Sequence, residues 1–112
     1  MDYDQDLINQ LSNEIDNGKE AIDFHNKLER LLKNQDFIDV IYNGYCTDGA
    51  LRLVTLLKAD STTEATRANV ISKLDAISLF QEYLRVQLVM GNAARRTVQE
   101  SQATLDELRG EA

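Results

Sequence analysis

Ser61–Leu108, STTEATRANVISKLDAISLFQEYLRVQLVMGNAARRTVQESQATLDEL, runs for 48 residues with no proline and one interior glycine, Gly91. Proline and glycine are the residues that interrupt helices, so the stretch predicts one long helix over about 62–108. Ser61 and Glu64 match the S-x-x-E capping box, in which each side chain satisfies a backbone N–H near the other, and this predicts the start. Val70, Leu74, Ile77, Leu84, Leu88, Val98 and Leu105 form its main stripe, close to a heptad seam. A second face carries Ala76, Leu79, Phe80, Tyr83, Val86 and Met90. Beyond residue 96 the seam rests on Val98 and Leu105 alone, which predicts a stalk-like or partner-dependent end. A chain this small has few elements to cover a two-faced helix, so Leu79, Phe80, Tyr83, Met90, Val98 and Leu105 are the candidate protein interface.

Upstream, Leu7, Ile8, Leu11, Ile15, Ile22, Leu28, Leu31 and Leu32 recur three, four or seven apart and predict a helix over 5–33. Asn17-Gly18 falls inside it. Ile15 and Ile22 keep phase across that pair, which favours a glycine at a close helix crossing over a break into two helices. Asn34 is placed to cap the next element. Residues 35–43 predict a short helix stopped at Asn43-Gly44, with Gly44 left-handed and Tyr45 folding back on it. Thr47 then caps another short helix over 48–58. The resulting expectation is a single all-α domain over 1–112. In it the first and last helices form a long antiparallel hairpin, and the two short helices pack at one end.

The net charge of −7 is unevenly placed. Asp2, Asp4, Asp6, Glu14, Asp16 and Glu20 face only Lys19 in the first 20 residues, whereas residues 50–96 carry an excess of three bases. Acidic ends repel phosphate backbones and disfavour nucleic acid. The basic excess reads as solvated salt-bridge partners spread along helices. Cys46 is the only cysteine, so no internal disulfide forms and a reducing compartment fits. No apolar run approaches the ~20 residues that span a bilayer, and the acidic start MDYDQD is unlike an export signal. The expected location is a cytoplasm or a particle assembled there, with no membrane partner.

The usual signatures of chemistry are incomplete. Asp2-x-Asp4-x-Asp6 has the opening spacing of a calcium loop, but Leu7 and Asn13 stand where that loop needs Gly and Glu. Gly44-x-x-x-x-Gly49 has phosphate-loop spacing, yet Ala50-Leu51 replaces the Lys-Ser/Thr pair and no strand precedes it. His25, the sole histidine, sits among charged helical neighbours and reads as a surface or edge residue. Cys46 reads as a small buried hydrophobe at a turn. No carboxylate pair lies on an apolar face where burial would separate two pKa values. A helix-turn-helix over 50–74 offers only Arg67, Asn69 and Lys73 for base reading, a thin set. The expectation is a protein that is not an enzyme and takes no cofactor or metal.

The segments NQDFIDVIYNGYCTDGALRLVTLL (34–57) and LDAISLFQEYLRVQLVMGNAARR (74–96) resemble a group of small acidic helical proteins of tailed bacteriophages. The shared features are a leucine-rich first helix, an aromatic-flanked Asn-Gly, an Ala-Leu-Arg-Leu-Val helix and a long final helix, together covering roughly 28–96. That group is encoded among virion structure and assembly genes. The resemblance implies a scaffold, chaperone, cement or minor virion component, located in the virion or host cytoplasm. Its implied partners are other virion or assembly proteins and copies of itself. Two further readings come from other classes: a small cytosolic modulator that inhibits or redirects a host or phage enzyme, and a DNA-binding regulator.

Overall fold

Acidic residues favour the positive end of a helix and basic residues its negative end. The first helix, α1 (Asp2–Lys33), follows that rule, with Asp4 and Asp6 near its start and Arg30 and Lys33 in its last turn. The structure, a computed structural model, describes residues 2–110 and, for side chains, 4–110. Asn34 ends α1 in extended conformation (φ −70°, ψ 126°), and its side chain accepts the Phe37 N–H at 3.0 Å to start α2 (Gln35–Phe37). A π-helical stretch (Ile38–Gly49), α3 (Ala50–Leu57) and α4 (Glu64–Leu108) follow. No strand occurs among the described residues, so the fold is all-α.

Two compact units divide the chain: residues 1–29 with 87–112, and residues 30–86. Both boundaries fall inside helices, α1 and α4, rather than in a linker.

In the first unit α1 and α4 run antiparallel, as expected. Leu11 and Ile15 cluster with Leu105, with Ile8 and Val98 against them. Glu14 accepts a hydrogen bond from Ser101 Oγ at 3.1 Å, and Arg95 donates to Asn26 Oδ1. The facing pairs step by seven on both helices. Leu11 lies with Leu105, a side chain at Gly18 would overlap Val98 Cγ2, and one at Gly91 would overlap His25. Two of these layers therefore match a glycine on one helix to a larger residue on the other. Heptad spacing keeps such a seam facing its partner. Gly18 stands at a close crossing within a continuous α1, and α4 is continuous through Gly91.

Three sequence expectations give way here. His25 is no surface residue: it is 1% exposed and is the largest fully buried side chain. A helical histidine can be buried when its partner helix offers a glycine, and Gly91 does so. The end of α4 is not a bare stalk, because Ser101 and Leu105 are buried against α1 within the chain. The capping box at Ser61 does not form. Thr62 Oγ1 instead donates to the Leu56 carbonyl at 2.6 Å, which also accepts the Ala59 N–H at 3.3 Å at the end of α3. The start of α4 moves to Glu64, with Thr63 Oγ1 accepting the Thr66 N–H at 3.1 Å.

In the second unit the stop at Asn43-Gly44 is also absent. No residue there has positive φ, and Gly110 is the one described glycine that does. The backbone stays helical through 35–57 by widening to π winding over Ile38–Gly49, and the Ala50 N–H, bonded to Thr47 O, returns it to α. Glycine meets a different need in that winding. A Cβ at Gly44 would stand 3.2 Å from the Asp39 carbonyl, and one at Gly49 3.4 Å from the Gly44 carbonyl, each five residues back. The five-residue glycine spacing thus follows the i→i+5 pitch of a π-helix. Cys46 is buried within this stretch, as expected, and Val70, Ile77 and Leu84 are buried along α4. Tyr45 and Phe80 meet edge to face at 6.1 Å, as do Phe37 and Tyr42 at 5.7 Å.

Candidate protein-binding surfaces

Helix α4 turns two apolar sides outward from its axis within the second unit. Val70, Ile77 and Leu84, seven apart, are buried. On the other side Ile71, Leu79 and Tyr83 are 50%, 66% and 51% exposed. Their spacings of eight and four place them on one helix face. Scattered exposed apolar residues are ordinary on protein surfaces, whereas an aligned set marks an interaction site. Leu79 and Tyr83 thus stand where the sequence places a candidate interface. Phe80 does not join them: it is half-buried with its ring against Tyr45.

In the first unit Met90 is 57% exposed and lines a 230 Å³ cleft with Ala21, Phe24, Gln87 and Gly91. Phe24, 47% exposed, is the aromatic residue of that cleft, and sequence reading missed it. Its flanking residues Asp23 and His25 are polar, and the register against Gly91 brings it beside Met90. Val98 and Leu105 belong to the hairpin interior. Val98 is half-buried over Gly18, and Leu105 is buried with Leu11 and Ile15. Neither is an exposed interface residue, because Gly18 leaves room for Val98 and the apolar stripe of Leu11 and Ile15 covers Leu105.

A third concavity, of about 510 Å³, opens within the second unit. The π stretch supplies Tyr45 and Gly49, α3 supplies Arg52, Leu53 and Leu56, and α4 supplies Lys73, Ala76 and Ile77. The walls are apolar apart from the two cations. Neither Arg52 nor Lys73 is within ion-pair distance of a carboxylate among the described residues; the ion pairs there are Asp23–Lys27, His25–Glu29 and Glu82–Arg85. The basic residues of the chain centre are therefore not all spread as solvated salt bridges, since these two converge on one apolar opening.

The groups with reactive potential are otherwise engaged. His25 Nε2 lies 2.7 Å from Glu29 Oε1, and its Nδ1 is buried without a hydrogen-bond partner among the described residues. Burial pushes the Cys46 thiol up from its ordinary value, away from the thiolate a nucleophile needs. Asp4 and Asp6 are exposed on a helix rather than wrapped in a loop, and the Asp2 side chain lies outside the described residues. No group of three His, Cys, Asp or Glu able to hold a metal occurs among the described residues. No helix there is long and apolar enough to cross a membrane. Compared with known proteins, no family model, no curated protein and no solved structure matches the chain.

Proposed function

We propose that this chain is a non-catalytic structural or assembly protein of a tailed bacteriophage that binds other virion proteins through helix faces. It would act as a scaffold, chaperone, cement or minor virion component, in the virion or host cytoplasm. The observation that carries the reading is the exposed face of Ile71, Leu79 and Tyr83, opposite the buried line of the same helix. Aromatic and large aliphatic side chains on a rigid helix are typical anchors of protein interfaces. The resemblance of residues 34–57 and 74–96 to phage assembly proteins supplies the context. The engaged state of His25 and the raised thiol of Cys46 support a role without catalysis.

The test is mass spectrometry of purified particles and assembly intermediates from cells producing the protein. The chain is expected in one or both at defined copy number, and the double change Leu79→Glu, Tyr83→Glu is expected to abolish its incorporation while circular dichroism stays helical. Absence of the wild-type chain from both overturns the reading. Recovery of a single host or phage enzyme in stoichiometric complex would then favour the modulator role instead.

A further inference from the structure

The antiparallel register of the first unit carries a second feature. Glu14 meets Ser101 across the pair, so one heptad further on Leu7 comes to face Leu108. Both leucines are exposed, at 39% and 38%. Asp4, Asp6 and Glu107 are exposed nearby in sequence, and Asp106 is held by Gln102 Nε2 at 2.9 Å; Arg109 is the single basic side chain there among the described residues. This tip of the hairpin is an apolar pair flanked by carboxylates.

The 510 Å³ cavity of the second unit is its complement. Leu53, Leu56, Ala76 and Ile77 wall an apolar hollow, and Arg52 and Lys73, without an ion-pair partner among the described residues, flank it. The segments that line it, 45–58 and 64–77, hold four bases against three acids, a local excess of one base in a chain of net charge −7. The size lies in the range of binding pockets that enclose a ligand group.

We infer that the cavity receives a second copy of this chain, which inserts its hairpin tip so that Leu7 and Leu108 enter the apolar hollow and Asp6 and Glu107 meet Arg52 and Lys73. The contact joins unlike surfaces, tip to cavity, so two copies joined by one contact still offer one free tip and one free cavity. Such heterologous contacts build rings when the rotation closes and open chains when it does not. Apolar burial holds the contact and the charges set its partner and orientation. The inference is independent of the α4 face carrying Ile71, Leu79 and Tyr83.

Sedimentation velocity of the full chain tests it, using two charge reversals on exposed residues: R52E/K73E at the cavity and D6K/E107K at the tip. The wild type is expected to associate with rising concentration, and less so as salt goes from about 50 mM to about 500 mM, because screening shortens the reach of exposed charges. Each reversal alone is expected to weaken association at least about tenfold, since like charges then face each other. An equal mixture of the two is expected to restore it. In the mixture one contact is wild type and the other pairs swapped charges. Circular dichroism checks that both variants keep their helix content, and L7A/L108A provides a third test that leaves every charge in place and should also weaken association. A wild-type chain that stays monomeric at every concentration overturns the inference. So do association unaffected by the reversals and a mixture no better than its separate components.

Discussion

The imidazole of His25 occupies the space that any side chain at position 91 would need, so α1 and α4 meet there as histidine against glycine. The overlap of a Cβ at position 91 reaches the His25 Cβ as well as the ring, so turning the ring cannot relieve it. Gly91→Ala should therefore destabilise the fold by about 1–3 kcal/mol despite the better helix propensity of alanine, because overpacking forces the backbones apart. Urea denaturation followed by circular dichroism reads this. The pair His25→Ala, Gly91→Ala should lose less than the sum of its single changes, as contacting residues do. Strict additivity would show that the two side chains do not share that space.

Gly18 is the milder case. A Cβ there overlaps only Val98 Cγ2, the end of a side chain, while Val98 Cβ and the Ala94 carbonyl stand at 3.8 Å and 3.7 Å, ordinary contact. Gly18→Ala should cost less than Gly91→Ala in the same denaturation series. Gly18→Ala, Val98→Ala should recover most of the loss, since alanine in a helix interior is worth about 1 kcal/mol over glycine. A Gly18→Ala variant less stable than Gly91→Ala would contradict this ordering.

Cys46 gives the fold a pH dependence of known sign. Burial raises its thiol pKa in the folded state, whereas the unfolded chain ionises it near the ordinary value of about 8.5. Below that value both states hold the proton and stability is unaffected. As pH rises through it, the unfolded state loses its proton first, and stability declines until the folded thiol also ionises. Denaturation at stepped pH above about 8 should show this decline in the wild type and a shallower one in Cys46→Ala. Reaction of the native thiol with an aromatic disulfide reagent should be slow at neutral pH and accelerate on unfolding.

The start of α4 offers a contrast between two hydroxyl residues. Thr63→Ala removes the acceptor for the Thr66 N–H and should cost about 1 kcal/mol, the usual worth of an N-cap. Ser61→Ala removes a turn hydroxyl and should leave stability within about 0.5 kcal/mol, as exposed substitutions do. Thermal melts of the two variants check this. The reverse ranking would return the start of the helix to Ser61.

Periodicity made α1, α4 and the Asn34 boundary legible, because those segments carry one uninterrupted apolar stripe each and Asn34 has a single local role. Leu79 and Tyr83 were equally legible as outward residues, since they fall on the side of α4 away from its main stripe. What depends on the partner helix was not. The burial of His25 does not follow from its own neighbours but from the small residue, Gly91, that the seven-step register sets opposite, and that of Leu105 follows from the stripe of Leu11 and Ile15 that faces it. The signal was present in Gly91, which completes the series Val70, Ile77, Leu84, Val98, Leu105 as its small member. Asn43-Gly44 misled because glycine permits left-handed backbone without requiring it. Thr62 and Ser61 misled because several hydroxyls compete for one set of orphan backbone groups. The cavity was invisible in sequence, as its walls come from three segments and its two cations lie 21 positions apart.

The π stretch between Ile38 and Gly49 is the one place where this chain carries spare length. Wider winding accommodates extra residues in a given number of turns, so a single deletion there can be absorbed by tightening part of the stretch to α winding. The same deletion between Val70 and Leu105 would rotate everything beyond it by about 100° and turn the seam out of register. Descendants of this sequence are thus free to vary in length between Ile38 and Gly49 and are held to a fixed count along α4. A gain or loss of residues in the π stretch would re-aim Tyr45 and Gly49 at the cavity that they help to line.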